Sequence, residues 1–245
     1  MYNFVPEIHY KPIFMTIKER KTIRKYKDDD ISPEILDELL STASRAATMG
    51  NIQLYSAVVT RSKEGKEALA PHHFNQPMVT SAPVVITFCA DFNRFTEWCN
   101  QRQATPGYDN FLSFINAMSD TLLFTQNFCT LAEELGLGTC YLGTTVYNPM
   151  GIIETLRLPK LTFPVATITV GWPDEDPQRT DRLPLEGVVH SEYYHEYSDT
   201  DIDRIYSHKE SLPENKRFVE INDKLTLAQI FTDIRYTKKD NEAMS

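Results

Sequence analysis

The stretch from Tyr108 to Glu134 sets the tightest limit on how this chain can fold. Phe111, Phe114, Ile115, Met118, Leu122, Thr125, Phe128, Cys129, Leu131 and Ala132 recur at intervals of three and four, with no internal Pro or Gly. That spacing predicts one long helix, ~40 Å in length at the usual rise per residue. It is apolar around more of its circumference than a surface helix is. It is therefore expected to be the central spine, and a second subunit is expected to cover what the chain's short helices do not.

With 245 residues, 41% hydrophobic and 24% charged, the chain has the composition of a soluble globular protein with one large core or two small ones. A net charge of −9 argues against a nucleic-acid partner, because that affinity comes from Lys and Arg neutralising phosphates. Against this background the basic cluster Lys18, Arg20, Lys21, Arg24, Lys25 and Lys27 reads as local binding of a small anion. Arg20 and Arg24, four apart, would share one face of a helical turn, with the Thr22 hydroxyl between them. Two guanidinium forks and a hydroxyl suit a dianionic phosphate. The acidic run Asp28, Asp29, Asp30 behind them would repel a longer polyanion.

Cys89, Cys99, Cys129 and Cys140 form no CxxC pair and no zinc spacing. Three of them sit in apolar surroundings, as small buried residues do, and a reducing, cytoplasmic setting is expected. No apolar run approaches the ~20 residues that span a bilayer, and Met1–Glu7 lacks the features of a signal peptide. No membrane association is expected.

Other elements follow from local signals. Ser32, Pro33 and Glu34 start a helix that is expected to reach about Ala46. Strands are expected at Leu54–Thr60, Ala82–Ala90, Thr139–Thr144 (with a turn) and Phe163–Gly171. The second of these is apolar throughout, as in a strand buried on both faces. Further helices are expected at Lys63–Ala70, Asn93–Gln103, from Asn148–Pro149 onward, at Asp199–Ser207 and at Asn215–Thr237. Residues 1–197 read as one domain and 198–245 as a helical arm that packs on a partner subunit.

Two kinds of site fail on context. The histidines (His9, His72, His73, His190, His195, His208) have no Ser or Cys in a nucleophile elbow and no partner at metal-ligand spacing, so His72 and His73 read as surface or loop residues. No metal site is expected. Gly136-x-Gly138 follows a helix and precedes a strand, the reverse of a dinucleotide fingerprint. It reads as a helix C-cap.

Four segments cohere instead: Arg-Lys-Thr-Ile-Arg-Lys-Tyr at 20–26, Phe-Cys-Ala-Asp-Phe-Asn-Arg at 88–94, Leu-Gly-Leu-Gly-Thr-Cys-Tyr-Leu-Gly at 135–143, and Val-Gly-Trp-Pro-x-x-x-Pro-x-x-x-x-Arg-Leu-Pro from Val170. In this order and at these gaps the chain resembles the nitroreductase family, and within it the NADPH-type oxygen-insensitive nitroreductase and flavin reductase branch, over about residues 14 to 195. The resemblance implies an α+β fold, with a mixed sheet of about five strands flanked by helices and the long central helix at a dimer interface. It implies FMN as cofactor, NADPH or NADH as reductant and a homodimer with FMN at the subunit interface.

Position by position, the resemblance implies that Arg20, Thr22, Arg24 and Arg182 hold the FMN phosphate, with Lys21 contributing through backbone or charge. Thr48, Met49, Gly50 and Asn51 line the flavin of the other subunit. Gln76 bonds the polar edge of the ring. Tyr141 and Leu142 pack near one face, and the backbone N–H groups of Gly143 and Thr144 sit near N5 and O4. Two positions depart from the branch: Thr180 stands where a lysine is usual, with Arg179 beside it, and Thr144 follows Gly143 where Gly-Gly is usual.

The activity implied is reduction of a small-molecule electron acceptor (a nitroaromatic, a quinone or free flavin) by ping-pong hydride transfer through flavin N5, with no catalytic side chain. Other reactions of the superfamily (enone reduction, dehalogenation, flavin destruction) and a non-catalytic flavin-binding sensor stay open.

Overall fold

The computed structural model describes residues 13–107 and 110–244. It divides into two units, Met1–Arg179 and Thr180–Ser245. The loop 180–197, expected with the first domain, groups with the C-terminal unit. Met1–Glu7, His9 and Tyr108, all of which entered the sequence reading, lie outside the described residues.

In the first unit the helices are α1 (Ile13–Glu19), α2 (Pro33–Ala43), α3 (Lys63–Leu69), α4 (Pro77–Ser81), α5 (Asn93–Gln101), α6 (Phe111–Glu134) and α7 (Pro149–Leu156). The strands are β1 (Tyr55–Thr60), β2 (Val84–Asp91), β3 (Gly138–Leu142) and β4 (Thr162–Gly171). They form one sheet in the order β1-β2-β4-β3, and every ladder is antiparallel.

The α+β class holds, while the described residues form four strands, all antiparallel, where about five in mixed orientation were expected. The sheet's nearest approach to a fifth strand is the basic segment itself. Thr22 makes a single parallel bridge to Thr139 of β3, and Tyr26 a single antiparallel bridge to Pro173. Ile23 N donates to Thr139 O at 3.0 Å and Lys27 N to Trp172 O at 2.9 Å. Among the described residues no ladder develops; Tyr26 turns inward, its hydroxyl bonding Ile23 O at 2.6 Å and Thr169 O at 3.1 Å. Gly138 permits the close approach: a Cβ there would stand 2.6 Å from that of Ile23.

Alternation along β2 places its residues in two cores. Val84, Ile86 and Phe88 meet Leu36 and Leu39 of α2 and Phe124, Phe128 and Ala132 of α6. Val85 faces the opposite layer, with Leu69, Met78, Val79 and Ile152 from α3, α4 and α7. Phe88 meets Phe124 edge-on at 5.2 Å between ring centroids, the favoured geometry for an aromatic pair. The apolar run read over Ala82–Ala90 is explained, since β2 is buried along its whole length, Thr87 and Asp91 included.

Helix α6 starts after Asn110, whose Oδ1 accepts from Ser113 N at 3.0 Å. It ends at Gly136, whose φ of +90° takes the left-handed cap and whose N donates to Glu133 O at 3.1 Å. One side of α6 is buried on the sheet, while Phe111 and Leu112 are 75% and 67% exposed on this chain. Elsewhere α2 stops at Ala43, three residues before the expected end, and α4 is a short helix that the sequence reading missed. Pro77 at its first position starts it.

The second unit holds α8 (Asp199–Ser211), α9 (Pro213–Ile221), α10 (Leu227–Ile230), a π turn at Phe231–Arg235 and α11 (Lys238–Met244). One helix was expected over Asn215–Thr237, and the chain breaks it. Asp223 takes a left-handed φ of +51°, which short polar side chains tolerate. Thr226 then caps a new start in a reciprocal box with Gln229.

Candidate functional site

The basic segment is not the helical turn that its spacing suggested. Helix α1 stops at Glu19, and Arg20 to Tyr26 continue as irregular, bridge-forming chain. The two arginines still converge, by a different route. Both act electrostatically on the Cys140 thiol of β3. Burial raises that thiol's pKa, and the two guanidiniums pull against the rise.

Arg20 and Lys21 line a cleft of about 660 Å³. Arg179 lines it too, with Nη1 donating to Lys18 O at 2.8 Å, a favourable place for a cation near the end of α1. Thr22 and Arg24 are not among its lining residues. The cleft also contains acids that the sequence reading passed over. Glu133 Oε1 lies 3.3 Å from Arg20 Nε and accepts from Thr139 Oγ1 at 2.5 Å. Asp176 pairs with Lys21 at 2.5 Å, and Glu175 takes the backbone N–H groups of Arg24 (2.5 Å) and Lys25 (3.1 Å). Burial raises the pKa of Glu133, partly offset by Thr139 and Arg20.

At its other end, β3 leads into Gly143 and Thr144. Tyr141 is 41% exposed, whereas the Leu142 side chain is buried in the core with Ile152, leaving only its backbone for a ligand. A Cβ built on Gly143 would meet nothing within 4 Å. None of the described residues therefore demands glycine there, and the space stays open for a flat ligand. Gln76 is half-buried just ahead of α4, and its N donates to His73 O at 3.1 Å.

His73 is the main surprise at this end. Expected as a surface or loop residue, it is fully buried, and its Nδ1 lies 2.8 Å from Thr144 Oγ1. Burial pushes its pKa down to about 4, with the neighbouring His72 contributing in the same direction. His72 is half-buried and bonds Thr155 Oγ1 and Asn148 Nδ2, each at 3.0 Å.

Thr48 to Asn51 form an exposed turn whose Gly50, Asn51 and nearby Gln53 all have φ between 56° and 59°. It is held by Asp120 of α6, whose carboxylate accepts from Met49 N at 2.8 Å and Leu54 N at 3.3 Å. Asp120 is 2% exposed. A lone carboxylate on an apolar helix face was its signal in the sequence, since buried acids need dedicated donors. Arg182 belongs to the second unit, where its Nη1 donates to Thr180 Oγ1 at 2.9 Å and Asp181 O at 2.8 Å.

Comparison with known proteins fits this arrangement. The model of the Nitroreductase family matches residues 17–172. A Cr(VI) reductase from Pseudomonas sp. (strain G-1) is 32% identical over 178 residues, 73% of each chain. The NAD(P)H FMN reductase of Bacillus subtilis (strain 168) is 31% identical over 187 residues, 74% of each chain. A crystal structure from Bacteroides fragilis NCTC 9343 superposes with a TM-score of 0.92 at 63% identity, covering 94% of each chain. With its basic segment, β3 and the glycine turn inside the matched span, this chain belongs to the nitroreductase family.

Proposed function

We propose that the chain is an FMN-dependent NAD(P)H oxidoreductase of the nitroreductase and flavin reductase type. The observation that carries this reading is the role of β3 as a ruler. Thr139, bridged to the basic segment at Thr22, and Gly143, at the open turn, are ends of one continuous run. They stand ~14 Å apart at the usual rise of an extended chain. An extended ribityl phosphate with its ring system bridges such a gap. The names of the two relatives, an FMN reductase using NAD(P)H and a Cr(VI) reductase, support the same chemistry.

When bound, FMN supplies hydride chemistry at N5, taking two electrons from NADPH or NADH and passing them to a small-molecule acceptor in ping-pong order. The chain's own residues bind and orient. Arg20, Lys21, Thr22, Arg24 and Arg182 neutralise and hold the phosphate, with Arg179 offering a further guanidinium from the cleft. Gln76 holds the polar edge of the ring. Tyr141 and the Leu142 backbone would border one face, and the backbone N–H groups of Gly143 and Thr144 would lie near N5 and O4, where they would stabilise negative charge. An open, flat site selects weakly among nitroaromatic, quinone and flavin acceptors.

The functional unit in this reading is a homodimer. The exposed Phe111, Leu112, Leu122 and Leu123 of α6 support it, as apolar surface of this kind is covered in an assembly. The turn at Thr48, Met49, Gly50 and Asn51 then lines the partner's flavin, and the arm from residue 198 packs on the partner subunit. A reducing, cytoplasmic setting accords with Cys89, Cys99, Cys129 and Cys140 all being free.

The first test is colour. Purified protein is expected to be yellow and to release FMN on heating, and a colourless protein that refuses added FMN would sink the reading. Oxidation of NAD(P)H with a nitroaromatic or quinone is the second test. Bound FMN with turnover of neither would favour the sensor.

A further inference from the structure

His73 is fully buried, yet among the described residues only one of its two ring nitrogens has a partner. Nδ1 meets Thr144 Oγ1 at 2.8 Å, while Nε2 has no hydrogen-bonding partner among the described residues. An apolar residue of similar size would fill the space without that penalty, so packing alone does not explain an imidazole here.

The orphan nitrogen also indicates where the proton sits. A neutral imidazole carries one N–H, on either nitrogen. Burial holds His73 neutral, since its pKa falls to about 4. If the hydrogen were on Nε2, a buried donor would go unmet, the rarer and costlier defect in proteins. With the hydrogen on Nδ1, the defect is only a bare acceptor. In that tautomer His73 donates to Thr144 Oγ1, and the Thr144 hydroxyl hydrogen is released for another acceptor.

The position of the pair gives this polarity a use. Thr144 follows Gly143, whose missing side chain leaves open space. On the other side, His73 closes a turn in which Phe74 and Asn75 both take left-handed φ, 54° and 52°, before Gln76. The His73–Thr144 bond therefore clips together the two turns that present Gln76 and Gly143 to the ligand.

We propose that His73 is a positioning residue that fixes Thr144 as a hydroxyl donor in the glycine turn, adding a hydrogen bond to the anionic reduced form of a bound flavin. This inference rests on the FMN reading above. It accounts for the departure at position 144, where the threonine supplies a donor that a second glycine lacks. It also explains the pairing of that threonine with a buried imidazole.

The experiment measures the two-electron midpoint potential of bound FMN by dye equilibration in the wild type, His73→Leu, His73→Asn, Thr144→Val and Thr144→Ser. His73→Leu and Thr144→Val are each expected to weaken the reduced form relative to the oxidised form about tenfold, a fall of about 30 mV. His73→Asn, whose amide N–H replaces that on Nδ1, and Thr144→Ser, which keeps the hydroxyl, are expected within a third of that shift. The double variant His73→Leu with Thr144→Val is expected to fall no further than either single one. A yellow Thr144→Val protein with an unmoved potential overturns the proposal, as does additivity in the double variant. If His73→Leu fails to fold, the Thr144 pair and His73→Asn decide the matter. A wild type that takes up no FMN sinks the FMN reading itself, an outcome distinct from an unmoved potential.

Discussion

Glu133 Oε1 stands 3.3 Å from Arg20 Nε, so this cation of the basic segment already holds a carboxylate from the spine helix. Any phosphate bound by Arg20 must share it with Glu133. Replacing Glu133 by Gln removes the rival charge and keeps an acceptor for Thr139. FMN affinity is expected to rise about fivefold, about 1 kcal/mol, while riboflavin, which lacks the phosphate, is unaffected. Titration of apoprotein with both ligands checks this, and equal changes for the two would refute it.

Arg24 tests the proposed phosphate site. Arg24→Ala is expected to weaken FMN by about 1.5–3 kcal/mol through the loss of a charge-assisted hydrogen bond. Riboflavin again serves as the control. Comparing Arg179→Ala with Arg182→Ala identifies the late-loop guanidinium that completes the site, since the one that matters lowers FMN affinity and spares riboflavin. If Arg24→Ala leaves FMN affinity unchanged, the phosphate lies elsewhere.

Asp120 holds a strained turn. Its carboxylate takes two backbone donors around three residues of left-handed φ. Asp120→Ala leaves those donors unmet and is expected to cost about 3 kcal/mol of stability in urea unfolding. Hydrogen exchange should accelerate first at Met49 and Leu54. Unchanged exchange at both amides would show that the turn stands without the carboxylate.

His73 makes stability depend on pH. Its folded pKa of about 4 lies below the ordinary histidine value of 6.5, so the unfolded chain binds the extra proton first. Stability from this residue is complete above about pH 6.5, and it is lost as the pH falls from there toward 4. Its size is about 3 kcal/mol at ~1.4 kcal/mol per unit. His73→Asn should flatten the slope of unfolding free energy in that window, and an identical slope in both proteins would contradict the assignment.

Much of this architecture was legible because local chemistry and global fold agree. The period of three and four in α6 signals one long helix, the cap at Ser32 a helix start and the run through β2 a strand covered on both faces, and the structure has all three. What escaped depends on contacts distant in sequence. Tyr26 is drawn inward by Thr169 of β4, whose carbonyl and hydroxyl oxygens its own hydroxyl meets at 3.1 and 2.7 Å. His73 looked like a loop residue because its burial comes from Thr144, far along the chain. Glu133 and Asp176 gave no sign that they would share a cleft with Arg20 and Lys21. Spacing along a helix can be read from one segment, whereas an ion pair across the fold needs both.

The basic segment has a second duty, which follows from its two bridges. Strand β3 is the last in the sheet, and an uncovered last strand invites pairing with another molecule. Thr22 and Ile23 occupy that margin at Thr139, and Tyr26 fastens the segment beyond it. The residues proposed to hold the cofactor are thus also the sheet's guard against sticking to its own copies. A substitution that frees the segment, such as a bulky residue at Gly138, is then expected to show itself as aggregated protein before it shows itself as cofactor loss.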